Sequence, residues 1–437
     1  MGRLMKRIVY LMLALALLMG ILPAAGCSKN EEDIFGLDDS AKVELTVAGG
    51  LENFEALEEV IVAFEDKYPN CKITYEYINE YSKNIRLRME NPSERPSLFL
   101  SQSSYFKGED SMAEYAVDLS EDKESGVDLS GVKPIILSSQ KTQEALYCIP
   151  LALNARGMVV NKTLLTRYSL EVPENWVQFI YSCEKLKSEG FIPIQGYNDN
   201  ALMCLFYPAI AVSLVNDPEG ASKIKSMDSF EKGSDKYISE YFEKALYLTQ
   251  KGYIDYDENS LLTDSYESTI LNFLQGDVAF TPCTAEMVSG IKKRESKSAA
   301  FTSSPFEYEF FASPVGESSM CYWEVWQCLS VTKDCENEAW ARAFANFIAK
   351  EENLQTLAMV KGLPCAGKSP SADAKYRSLY VLEDKYTAES KQFQIAFYSC
   401  INNTLKRICY KKDDEATLKT PGEISEKYEI EMEKKRK

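Results

Sequence analysis

Histidine is missing altogether from the 437 residues. That excludes general-base and triad chemistry built on imidazole, and it leaves the twelve cysteines without a histidine to complete a mixed zinc site. No Gly-x-Ser-x-Gly elbow, no phosphate-cradling glycine loop and no metal-ligand cluster occurs, so no cofactor and no metal are expected. Net positive charge is also lacking, with 49 Lys and Arg against 66 Asp and Glu, a formal net of -17. Such a surface repels phosphate backbones, which argues against nucleic acid as a partner. Past the first 26 residues, no apolar stretch approaches the roughly 18 residues that a bilayer crossing needs. What is abundant is apolar residue, 45% of the chain, enough to bury sizeable cores in two or three domains.

The one long apolar run stands at the start. Arg3, Lys6 and Arg7 precede Ile8 to Ile21, followed by Leu22-Pro23-Ala24-Ala25-Gly26-Cys27. A basic segment, a short apolar core and small residues before a cysteine make residues 1–26 a signal peptide. The segment resembles a bacterial lipoprotein signal, which implies cleavage before Cys27 and a lipid anchor on its thiol. Loss of three basic residues with the signal would take the net charge to -20. Residues 27–41 follow as a polar, acidic tether with little to pack. With Cys27 lipidated, the other eleven cysteines are an odd number, scattered mostly at single apolar positions; they read as small buried hydrophobes rather than a disulfide framework.

Folding should begin near Lys42. Val43 to Val47 alternates as a strand, Phe54, Leu57, Val60, Ile61 and Phe64 recur at helical spacing until Tyr68-Pro69, and Cys71 to Tyr77 alternates again. Strand, helix, strand is the unit of a parallel sheet covered by helices. The rhythm returns at Gly157 to Val160, Trp176 to Leu186 and Phe191 to Ile194. Further helices are predicted over 235–250, 269–274, 338–350 and 389–410, and strands over 278–280, 308–311 and 328–332. The fold class is α/β with two sheet-forming regions.

The order of these features is similar to that of the extracellular solute-binding proteins of ABC importers, the sugar-binding group that includes the maltodextrin-binding protein. The likeness runs from Ala63-Phe64-Glu65-Asp66-Lys67-Tyr68-Pro69-Asn70 through Tyr147-Cys148-Ile149-Pro150, Asn161 to Leu165 and Leu170 to Phe179. It continues through Cys183 to Ile194 and Leu274 to Phe280 to Gly362-Leu363-Pro364. The resemblance departs at Pro96-Ser97-Leu98, where the family usually has Pro-Asp, and at Ala48 to Asn53, where it commonly has a tryptophan-bearing loop. It implies a two-lobed periplasmic-binding-protein-like fold with a hinge, each lobe a sheet flanked by helices. By the same analogy the N-terminal lobe is 43–153 with 281–330, the C-terminal lobe is 154–280 with 331–437, and the first crossing falls near Leu153 to Gly157. A small solute, most often a sugar, would be held between the lobes and passed to ABC permease subunits.

A sugar presents apolar C–H faces and a rim of hydroxyls, so its site needs flat aromatic rings beside carboxylates or amides. Trp323 and Trp326, with Glu324 between them, are expected in a loop before the strand at Cys328. Glu52 and Asn53 follow a Gly-Gly turn at the end of the first strand, although Asn53 could equally cap the next helix. Tyr105, Tyr197, Asn198, Asp199 and Tyr207 sit in or beside loops after predicted strands, whereas Trp176 opens a helix and reads as core. Two other functions stay open at this point: a lipid-anchored sensor or adhesion module that kept the binding fold, and a glycosidase using two facing carboxylates.

Overall fold

In the computed structural model, the structure describes residues 34–101, 112–120, 125–142, 144–195, 199–255, 266–369, 373–382, 385, 387–389, 395–409 and 417–436. The described residues from Asp39 onward form one compact unit. The expected signal segment, Cys27, Tyr105 and Tyr197 lie outside the described residues.

Strand β1 (Val43–Gly49) pairs along its whole length with β2 (Cys71–Tyr77) in parallel, and helix α1 (Glu55–Lys67) makes the crossover. The predicted stripe is the buried one: Leu57, Val60, Ile61 and Phe64 face inward. β3 (Leu98–Ser101) joins the other edge of β1, also in parallel. The sheet continues through β4 (Ile149–Asn161), β5 (Ile192–Gln195), β6 (Ile254–Asp255), β7 (Val278–Thr284), β8 (Tyr308–Phe311), β9 (Cys321–Val331) and β10 (Thr387–Glu389). Its order is β2-β1-β3-β9-β4-β7-β5-β6, with β8 on β4 and β10 on β9.

Two strands join the two sheet-forming regions. β4 has thirteen residues and β9 eleven, about twice the usual length of five or six. The far end of β9 pairs with β3 at 328–331, and its near end pairs with β10 at 321–323. β4 pairs with β9 over 149–156, then with β7 and β8 over 156–161. Alternation along β4 feeds two cores. Met158 and Val160 enter one, and Leu153, Ala155 and Val159 enter the other.

Helices cover the sheet. α2 (Trp176–Ser188) starts where the N-cap Asn175 accepts a hydrogen bond from Gln178 N, satisfying one orphan donor of the first turn, while the Gln178 side chain reaches back to accept from Glu174 N just before the cap. α3 (Asp199–Asn216) is buried from Ala201 to Val212, and α4 (Ser239–Gln250) packs with it against α7 (Ile395–Cys409). α5 (Glu338–Ile348) and α6 (Glu351–Lys361), from the stretch assigned on sequence to the C-terminal lobe, pack against α1, with Phe64 and Phe344 ring to ring at 5.1 Å. β8, from the stretch assigned to the N-terminal lobe, pairs with the end of β4. α8 (Pro421–Arg436) closes the chain against α7. No helix among the described residues is long and apolar enough to cross a membrane. None of the eleven described cysteines forms a disulfide, and nine of them are buried.

Three expectations need correction. The segment 321–327 is strand, not loop. Glu389 ends β10, and the described helix that follows starts only at Ile395. Tyr207 stands in the middle of α3 at 1% exposure, not beside a loop; a helix apolar on every side carries no 3.6-residue signal to announce it.

Candidate functional site

The middle of the two long strands is where polar residues interrupt apolar ones. Asn154 lies opposite Glu324, and Arg156 opposite Tyr322. The register slips between Ala152 and Leu153, so that Trp326 has no partner across the ladder. Such bulges re-aim side chains, and here Glu324, Val325, Trp326 and Gln327 are all half-buried where strict alternation would bury every second one.

Arg156 organises this floor. Its Nε and Nη2 both donate to Glu324 Oε1, at 3.0 and 2.6 Å, and its Nη1 donates to the Tyr398 hydroxyl at 2.7 Å. The rings of Tyr398 and Tyr322 lie 5.1 and 6.0 Å from the guanidinium carbon, and Tyr207 stands edge-on to both rings. Burial works against the cation, but the Glu324 carboxylate outweighs it and holds the guanidinium protonated. Burial also pushes the neighbouring Cys204 thiol up to about 12, which keeps it neutral. Both guanidinium bonds from Arg156 to Glu324 fall on Oε1. Oε2 is left as an open acceptor among the described residues, on a side chain 27% exposed. Asn154 Oδ1 accepts from the backbone N–H groups of Ala155 and Glu286, leaving its amide hydrogens to donate.

A wall stands beside the floor. The chain turns at Gly49-Gly50 because nothing larger fits: a Cβ on Gly49 would lie 2.3 Å from the Tyr75 hydroxyl, and one on Gly50 2.6 Å from Tyr81 Cβ. The Tyr75 hydroxyl accepts from Leu51 N at 3.1 Å and donates to Leu51 O at 2.8 Å, fixing the turn. Phe54 then meets Tyr75 and Trp326 edge to face, at 5.9 and 5.6 Å, so turn and floor are locked through three rings. The Lys361 ammonium rests 5.0 Å from the centre of the Trp326 ring.

The structure therefore brings Trp326 and Glu324 together beside the turn that bears Glu52 and Asn53, both exposed. Asn53 does not cap α1, whose N-cap is Phe54; its amide donates to Glu55 Oε1 at 3.1 Å. Trp323 points to the other face. It is 4% exposed, packs in the core with its ring 6.3 Å from Tyr380, and is not a platform. Strand periodicity accounts for this, since Trp323 is out of step with Glu324. Asp199 opens α3. Sequence reasoning missed Asn154, Arg156, Gln327, Lys361 and Tyr398; for Asn154 and Arg156 the available signal was an apolar run from Ile149 to Val160 broken by polar residues at its centre. A separate open groove of about 550 Å³ lies among Lys162, Val172, Glu174, Glu309, Phe311 and Arg377, and contains none of the predicted residues.

The sequence profile of the bacterial extracellular solute-binding proteins matches residues 48–355. A curated relative, the multiple sugar-binding protein of Streptococcus mutans, is 23% identical over 261 residues, 56% of this chain and 57% of that protein. The chain thus matches little more than half the length of that relative. Among solved structures, ligand-free RafE from Streptococcus pneumoniae superposes with a TM-score of 0.73 at 18% identity, covering 92% of this chain and all of that one. A sugar transporter from Bacillus licheniformis, solved with stachyose, gives 0.59 at 19% identity, covering 89% of this chain and 98% of that one.

Proposed function

We propose, for a chain that belongs to the bacterial extracellular solute-binding protein family, that the site on β4 and β9 holds a small carbohydrate for delivery to an ABC importer. The family fold is two-lobed and the location extracytoplasmic. The observation that carries the reading is Trp326 two residues from Glu324 on one strand. An aromatic face stands beside a carboxylate whose position is already fixed by two hydrogen bonds from Arg156. Sugars are gripped in that way, with C–H faces on rings and hydroxyls on fixed acceptors. The sugars bound by the similar proteins lend support.

The joint lies where β4 and β9 cross, at Leu153 to Gly157 and Tyr322 to Gln327. The packing of α5 and α6 on α1 favours grouping 338–361 with the amino-terminal lobe. The pairing of β8 with the end of β4 favours grouping 308–311 with the other. Closure of the lobes would exclude water around the ligand. The body acts by binding alone, with no bond made or broken, and a diacylglyceryl thioether on Cys27 holds it to the membrane.

A thermal-shift screen of mono- and oligosaccharides tests the reading. A ligand at 100 times its dissociation constant adds about 2.7 kcal/mol of stability. A shift with at least one sugar, recovered intact after incubation, is expected. No shift with any sugar, or hydrolysis of the sugar, would overturn it.

A further inference from the structure

We infer that Arg156 sets the charge of the ligand: by holding Glu324 as a neutralised, fixed acceptor, it makes the site take uncharged sugars through a hydroxyl and reject sugars bearing a carboxylate or an amine. The inference rests on the carbohydrate reading and narrows it. Nε, Nη1 and Nη2 of Arg156 are all engaged, two on Glu324 and one on Tyr398. The Arg156 side chain is 11% exposed against 27% for Glu324, so the carboxylate, not the cation, is the group a ligand meets.

The open Oε2 of Glu324 needs a proton donor. A sugar hydroxyl supplies one, and its lone pairs can accept from the Asn154 amide. A uronate carboxylate brings no proton and sets like charges against each other. An ammonium could donate to Oε2, but it would bring a second positive charge beside a carboxylate whose charge the Arg156 guanidinium already balances, and the two cations would repel. Lys361, a second cation nearby, has its ammonium over the Trp326 ring and not against Glu324. Arg156 is thus a positioning residue that acts through Glu324, and Tyr398 steadies it from α7.

Calorimetric titration of three proteins against matched neutral, uronate and amino sugars tests this. The wild type is expected to bind the neutral sugar at least about tenfold more tightly than either charged counterpart. Glu324→Gln leaves the Arg156 charge uncompensated, so its neutral-to-uronate preference should fall by roughly tenfold or more. Tyr398→Phe removes one bond to Arg156 and should weaken neutral binding a few-fold with the preference kept. A pair serving the fold alone would lower the Tm of Glu324→Gln and leave the preference unchanged. That outcome, or a wild-type preference for uronates or amino sugars, overturns the inference while the carbohydrate reading stands. If Glu324→Gln does not fold, the wild-type ratio decides. Absence of binding by sugars of every charge would overturn both.

Discussion

Trp323 and Trp326 differ by three positions and by role. Trp323 lies in the core beside Tyr380, while Trp326 is bulged out of the ladder onto the floor of the site. Replacing Trp323 with Ala should cost roughly 3–5 kcal/mol, as emptied aromatic positions in cores do, and denaturant unfolding would measure it. A change below about 1 kcal/mol would contradict its placement. A single sequence shows two tryptophans near one strand but not which faces inward, because a bulge resets the parity on which that inference depends. Arg156 was equally hidden: one arginine in an apolar run acquires meaning only when Glu324, 168 residues away, lies beside it. The turn that bears Glu52 and Asn53 was legible because two glycines announce it, and the close approach of Tyr75 and Tyr81 is the reason for both.

At the scale of elements, the opening strand, helix and strand could be read directly, since periods of two and 3.6 were clean and Pro69 marked the stop. α3 could not, because every residue from Ala201 to Val212 is buried and no polar face sets a phase. The long strands were seen only as fragments around 157–160 and 328–332, where apolar residues are densest. The last element gives a test of its own. α8 is pinned to α7 through Glu431, which accepts from Asn403 and Lys434 and pairs with Lys427. Burial raises its carboxyl, but these donors outweigh burial and bring it down to about 2. A carboxyl depressed in the folded state contributes stability that is present above its ordinary value near 4.5 and lost as pH falls towards 2. Glu431→Gln should remove roughly 1–3 kcal/mol at neutral pH and flatten the loss of stability between about pH 4.5 and 2, measured by urea unfolding across that range. A variant with the wild-type pH dependence would show that Glu431 does not hold the helix.

For the whole molecule, the proposed reading joins a binding body to a lipid anchor on Cys27, and the two parts can be tested apart. Cys27→Ser should move the protein from the membrane fraction to the medium without altering sugar affinity; an unchanged membrane fraction would refute the anchor. The chain's net charge of -17 disfavours anionic polymers as partners, while Arg156 and Glu324 balance each other's charge at the proposed site. The central claim is that the crossing strands grip a sugar on Trp326 beside Glu324. Isothermal titration of the wild type and Trp326→Ala with the sugar that stabilises the wild type tests it most directly. A saturable one-site heat in the wild type, absent from a folded Trp326→Ala, is the predicted result, and equal binding by the two proteins would contradict it.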